Sequence, residues 1–350
     1  MMTYSSPTAT PATPASASSS STADTRWVSV HLYYHDALDD LLRGAVRPLV
    51  GKLAARKLID GFFFVRYWQG GPHARLRVRL RDQAQTQLVE RLIEARIGRF
   101  FACHPSQTVV RAEDYLRAAG RLAQHEFGFV GPVSGDASPD SHRHSRDETV
   151  VEPLQPNNSL RYVAYVPEED RLGGPAGVAA FEPHFMDSAA IALDVIAANP
   201  SGQRRTGRTL AMMLLAAAVV LPDPQRLARF FRYSYRNWAT RNAAGDPDRR
   251  ARYEAQFEQQ YQRQCAQLSD VAQRLRDQAR PGVGTHLDAI STRWMASVAV
   301  LADRLTSQRS TGVESLLFQC LHKHNNRLGV KVAEETYLLF LLQRTLTEIA

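Results

Sequence analysis

The sequence lacks most of the features that announce a function. It holds 3 cysteines in 350 residues, Cys103, Cys265 and Cys320, and no CxxC pair. Neither a disulfide framework nor a thiolate zinc site is suggested, and a reducing cytoplasm is the natural setting. No apolar run reaches the roughly 20 residues of a membrane helix. The best candidate, "TLAMMLLAAAVVL" at 209–221, reads as a buried helix, so no membrane partner is expected. P-loop, GxGxxG, HExxH and GxSxG motifs are all missing. ATP hydrolysis, nicotinamide chemistry and zinc proteolysis therefore have no sequence support, and neither a cofactor nor a metal is expected. Charge is scarce in residues 3–24, which are Ser, Thr, Ala and Pro apart from Tyr4 and Asp24. That stretch has neither the basic start and apolar core of a signal peptide nor the arginines of a transit peptide. Residues 1–25 read as a disordered tail outside the fold.

What is present is ordinary globular composition, 44% hydrophobic and 22% charged, in a chain long enough for a sizeable core. The net charge is +8 and mostly arginine, which points to acidic partners. Arginine suits paired hydrogen bonding to carboxylate or phosphate better than lysine does. "WVSVHLYY" (27–34) reads as a strand, with His31 and His35 as edge residues. Asp36 is a candidate N-cap for the helix that follows, and Pro48 a candidate kink inside it. Residues 62–68 and 74–80 read as a hairpin about "QGGP". Helices are expected over 83–101 and 111–126, a long loop over 131–159, and a strand ending in a charged turn over 160–174. From 176 onward the pattern is helical: 176–198, 204–221, 224–240, 247–279, 286–306, 312–327 and 333–348. The expected class is α+β, an antiparallel sheet with flanking helices in the N-terminal half and a mostly helical C-terminal half, with 26–350 as one domain.

Three stretches can carry chemistry. In "HARLRVRL" Leu76, Val78 and Leu80 alternate with Arg75, Arg77 and Arg79. Alternate strand side chains lie about 6.5–7 Å apart on one face, so three arginines there repel unless anions lie between them. A carboxylate or phosphate clamp, with His73 at its turn, is one reading; a strand face paired with acids on a neighbour is the other. In "PEEDRLGG" Arg171 can add a cation, and Glu168 can orient it or move a proton, or the stretch is a charged surface turn. In "LHKHNNRLG" His322 and Asn326 share a helical face, with Gly329 a natural C-cap. His322 there is either a proton shuttle or part of a capping network. His142 and His144 in "SHRHS" read as loop residues.

Together with "SVHLYYHDALDDLLRGAVRPLV", "FFFVRYWQGGPHARLRVRL" and "FEPHFMDSAAIAL", these blocks resemble, in order, the C-terminal domain of class I lantibiotic dehydratases, and stand-alone thiopeptide-type bacteriocin biosynthesis proteins. The resemblance spans about 26–350. It implies elimination of glutamate from glutamylated Ser or Thr of a precursor peptide, leaving dehydroalanine or dehydrobutyrine. A separate tRNA-dependent glutamyltransferase would then supply the substrate, and no direct tRNA binding is expected here. The elimination residues fall on Arg75, Arg77, Glu168, Arg171 and His322, with His324 the weaker match for the histidine. Arg66, His73, Arg79, His324, Asn326 and Arg327 are expected to bind substrate. Leu172 and Lys323 depart from the family pattern, and Arg79 has no family role. Two other readings stay open: a pyridine synthase that joins two dehydroalanines by a formal [4+2] cycloaddition, and a non-catalytic peptide-binding subunit.

Overall fold

Strand β1 (Trp27–Tyr33) is central rather than at an edge, because the sheet runs β2-β3-β1-β4 with every neighbour antiparallel. Its partners are β3 (His73–Leu80), which forms a hairpin with β2 (Ile59–Tyr67), and the short β4 (Ser159–Tyr162). His31 is accordingly buried, which corrects its placing as an edge residue. The computed structural model describes residues 26–127, 152–198, 205–242, 246–280, 287–307 and 312–349. The 1–25 tail and most of the 131–159 loop, with His142 and His144, lie outside them.

The pleat sorts the sheet's two faces. Val28, Val30 and Leu32 of β1 stand with Leu76, Val78 and Leu80 of β3 and Phe64 of β2, all of them buried. They meet the helices that follow β1 and β3. First come α1 (Leu38–Leu41), a π-helical turn (Leu42–Val46) and α2 (Arg47–Ala55), then α3 (Thr86–Cys103). Each large apolar side chain so buried contributes about 1.5–3 kcal/mol. Pro48 does not break this helix but lies just after the π turn. It has no N–H to give the Gly44 carbonyl, and Arg96 Nη2 donates to that oxygen instead. Asp36 is not the N-cap. Its carboxylate accepts from the backbone N–H groups of Gln107 and Thr108.

The hairpin turn uses Gly70 and Gly71 at φ +82° and +101°, where other residues are strained. The Tyr115 hydroxyl of α4 (Ala112–Phe127) accepts from Gly70 N–H, and Gln155 N–H donates to the Gly70 carbonyl. β4 is shorter than the strand expected over 160–174. The chain leaves the sheet after Tyr162 and closes a four-residue helix α5 (Glu169–Leu172). Gly173 and Gly174, both left-handed, then turn it into α6 (Gly174–Ala198).

The remainder is helical: α7 (Arg205–Val220), α8 (Pro224–Asn242), α9 (Pro247–Gln262), α10 (Cys265–Gln278), α11 (Ala289–Ser307), α12 (Val313–Leu328) and α13 (Val332–Ile349). The single helix expected over 247–279 is two, parted at Arg263 and Gln264, where Gln264 leaves helical geometry. The break lets α10 lie against α7 and α13 while α9 packs on α8 and α13. α6 and α12 reach back to β2, so the helical part meets the sheet on the strand next to the arginines.

Candidate functional site

The face of the sheet opposite the α1–α3 core carries Arg75, Arg77 and Arg79. Register sets Tyr33 opposite His73, His31 opposite Arg75, Ser29 opposite Arg77 and Trp27 opposite Arg79. From β2 come Tyr67, Val65, Phe63 and Gly61. Aromatic rings rather than acids surround the guanidinium groups. Arg75 lies 3.5 Å over the Tyr67 ring, and Arg77 stands 5.3 Å from Phe63 and 4.8 Å from Tyr165. Among the described residues no carboxylate forms a salt bridge or hydrogen bond with Arg75, Arg77 or Arg79, and Glu168 acts on Arg77 through its charge alone. Burial first, then the charge of Arg75, bring Arg77 down to about 10 against the opposing pull of Tyr165 and Glu168, and it stays charged at neutral pH.

Two histidines sit among these charges as neutral rings. His73 Nδ1 lies 2.8 Å from the Gly71 carbonyl, an obligate acceptor, so Nδ1 carries the proton and Nε2 accepts from Arg75 Nε at 3.3 Å. Burial brings His73 to about 4, the nearby arginines adding to it. His31 stacks on His73 at 4.9 Å and falls to about 3, through burial and then through His73, Arg75, Arg77 and Arg161.

Glu168, just before α5, brings the second stretch to the row. Both its oxygens lie 2.9 Å from Lys323 Nζ of α12, and Arg171 Nη1 is 3.6 Å away. Burial opposes its charge, but Lys323, then Arg171 and Arg77, hold it ionised at about 2 although its side chain is 43% exposed. Arg75, Arg77, Glu168 and Arg171 are thus brought together, with Lys323 as a member that sequence reasoning noted only as a departure.

The third stretch divides by helical face. Successive α12 residues point about 100° apart. His322 turns toward α8 and α13, where its Nδ1 lies 2.8 Å from Glu335 Oε2 and its ring meets Trp238 at 5.2 Å. Asn325 Nδ2 holds the other Glu335 oxygen, and His322 keeps 30% exposure. A carboxylate oxygen facing a ring nitrogen accepts, so Nδ1 is the nitrogen that donates to Glu335 and Nε2 points away from it. No described contact joins His322 to the arginine row. Gly329 ends α12 at φ +81° as the C-cap.

Of the remaining expected substrate contacts, Arg66, Asn326 and Arg327 lie in the seam between β2 and α12, and His324 faces α6 and α11. His324 is buried, stacked 4.0 Å from Trp294, with Nδ1 2.8 Å from Ser188 Oγ. Asn326 exchanges both amide atoms with the Arg66 backbone. Arg66 donates to the Arg327 carbonyl and to Asp39, and Arg327 donates to the Phe64 carbonyl and to Ser188. Tyr165, Tyr67, Ser29 and Trp27 were missed as neighbours of the row. For the last two, the alternation Trp27, Ser29, His31, Tyr33 against Val28, Val30, Leu32 was the available signal.

The site can therefore hold an anionic group on arginines backed by aromatic rings, and it has a histidine–carboxylate pair on a neighbouring helix face. Among the described residues no group of three His, Cys, Asp or Glu is arranged to hold a metal ion, and no helix is long and apolar enough to cross a membrane.

Solved structures of similar fold include the following three. The pyridine synthase TbtD from thiomuracin biosynthesis matches at 19% identity, over 93% of this chain and 98% of that chain, with a TM-score of 0.72. TsrL matches at 17% identity, over 92% and 94%, with a TM-score of 0.63. The tRNA-dependent lantibiotic dehydratase MibB from Microbispora sp. 107891 matches at 17% identity, over 95% of this chain but 28% of that chain, with a TM-score of 0.50. At such identities the likeness is one of fold. No curated protein matches the sequence. The lantibiotic biosynthesis dehydratase C-terminal family, however, matches residues 27–346, nearly the whole described chain, and the protein belongs to that family.

Proposed function

We propose that the chain is a glutamate-eliminating enzyme of ribosomal peptide natural product biosynthesis, acting on precursor peptide glutamylated at Ser or Thr by a separate enzyme. The observation that carries this reading is the arginine row, with which no described carboxylate forms a salt bridge. Elimination breaks the Cβ–O bond and releases glutamate as a carboxylate, an anion for which Arg75 and Arg77 are placed. A base removes the Cα proton of the modified residue, the electron pair forms the Cα–Cβ double bond, and the glutamyl oxygen leaves with its bonding pair. His322 is the base in this reading, its Nδ1–H held by Glu335 so that Nε2 can accept. Arg171, beside Glu168, adds cationic charge where negative charge develops. The substrate has to bridge the sheet face and α12. The reaction draws on no energy source, because the ester is already an activated leaving group.

A second reading is favoured by a different observation. The fold is shared with TbtD over 98% of that chain, which is named a pyridine synthase. The corresponding reaction here joins two dehydroalanines of one peptide and expels the leader.

One assay separates them. The protein is incubated with its precursor peptide glutamylated on Ser or Thr, without tRNA or ATP, and in parallel with the same peptide bearing two dehydroalanines. The first reading expects free glutamate and a dehydrated peptide by mass spectrometry. The second expects that substrate to persist, while the dehydroalanine peptide splits into a macrocycle and a released leader. If both persist, neither enzymatic reading stands.

A further inference from the structure

The arginine row is one residue longer than the elimination reading uses. Arg79 follows Arg77 on the same face, with Trp27 opposite Arg79 and Ser29 opposite Arg77. In these two adjacent cross-strand pairs four buried polar atoms have no hydrogen-bond partner among the described residues: Arg77 Nε, Arg79 Nε, Ser29 Oγ and Trp27 Nε1. Buried polar atoms are normally matched, so four together call for an explanation. Three of the four are donors only, and the serine hydroxyl can donate. What is missing is therefore an acceptor, and two guanidinium groups beside it select an anion. The third strand supplies nothing, since the β2 partner of Arg79 is Gly61.

The spacing identifies the ligand. Arg77 and Arg79 are about 6.5–7 Å apart along the strand. The two carboxyl carbons of glutamate, four bonds apart, span about 5 Å when extended. One glutamyl group therefore reaches from one arginine to the next, with the oxygens closing the remaining gap. We propose that Arg79, flanked by Trp27 and Ser29, binds the side-chain carboxylate of the glutamyl group, while Arg75 and Arg77 receive the carboxyl group that leaves. The subsite rests on the elimination reading and deepens it. It makes the enzyme selective for a dicarboxylic acyl group over a neutral one of the same length.

The test is calorimetric titration of the full chain with L-glutamate and with L-glutamine, which keeps the α-carboxylate and loses the side-chain charge. Wild-type protein is expected to prefer glutamate by about tenfold or more, the worth of one charge-assisted pair. Arg79→Gln should bring the two ligands to within about twofold, and Arg79→Lys should keep part of the preference. Arg75→Gln should weaken both ligands alike. The subsite alone is overturned if wild-type protein releases glutamate from glutamylated peptide yet binds glutamate and glutamine equally, binds neither, or keeps its preference in Arg79→Gln. If wild-type protein releases no glutamate from that peptide, the elimination reading falls and the subsite falls with it.

Discussion

Two groups of arginines, one along β3 and one drawn from β2, α7 and α12, are treated in opposite ways. Arg66, Arg205 and Arg327 are tied into the fold. Asp39 lies between Arg66 and Arg205, 2.5 Å from each, and backbone carbonyls of Arg327, Leu328 and Phe64 take further donors. Arg75 and Arg77 lie over rings, Arg79 stands opposite Trp27, and among the described residues no carboxylate forms a salt bridge with the three. A buried charge with most of its donors taken holds elements together, although one buried guanidinium nitrogen, Arg327 Nη2, has no hydrogen-bond partner among the described residues. Like charges held side by side without a salt-bridged carboxylate cost stability, and a ligand that is not part of the chain explains them.

The comparison breaks most visibly at Asp39. Asp39→Asn leaves Arg66 and Arg205 facing each other without their shared anion, and is expected to cost about 3–5 kcal/mol, read as a fall in the denaturant midpoint. In the other group Arg75→Gln is expected to lower glutamate release by about 10²–10³, the usual loss for one pre-organised charge-stabilising donor, with the folded structure retained. Equal loss of folding in both variants would erase the distinction between the groups.

A smaller effect comes from the histidines beside the row. His31 and His73 titrate near 3 and 4 in the folded chain, against about 6.5 when unfolded. Between pH 6.5 and about 4 the unfolded state therefore binds more protons, so stability is complete above pH 6.5 and is lost as pH falls through that window. His31→Gln is expected to flatten the stability-versus-pH slope there by up to about 1.4 kcal/mol per pH unit. An unchanged slope would mean that the ring is not held neutral beside the arginines. The smallest effect is at Lys323, which is 11% exposed while its partner is 43% exposed. Lys323→Met is expected to change stability by about 1 kcal/mol or less. It should raise the Glu168 titration above about 2, followed by carboxylate NMR, because Lys323 contributes most to holding it down.

Much of this division was legible in the residues, and the reason differs by element. The period-two pattern of "HARLRVRL" placed Leu76, Val78 and Leu80 in the core and the arginines on the other face, because a pleated strand admits no third arrangement. The same rule applied to "WVSVHLYY" would have placed Ser29 and His31 beside them. Strand order was not legible, since nothing local says that β1 lies between β3 and β4. Partner choice was not legible either. Arg66 and Arg77 look alike in sequence, and only the approach of Asp39 to one and Tyr165 to the other sets them apart. The split of 247–279 into α9 and α10 escaped because both halves are polar and helix-forming, and what parts them is packing against α13 and α7.

The central claim is that the row is an anion site and not a structural network, and Arg77→Gln tests it with two readings on one preparation. Denaturant unfolding should show stability unchanged within about 1 kcal/mol or increased, because the substitution removes an unpaired, half-buried charge flanked by two others. Release of glutamate from glutamylated precursor peptide should fall by about 10²–10³ in the same sample. A variant that loses several kcal/mol of stability while releasing glutamate at the wild-type rate would show that Arg77 belongs with Arg66 and Arg327, and would contradict the account.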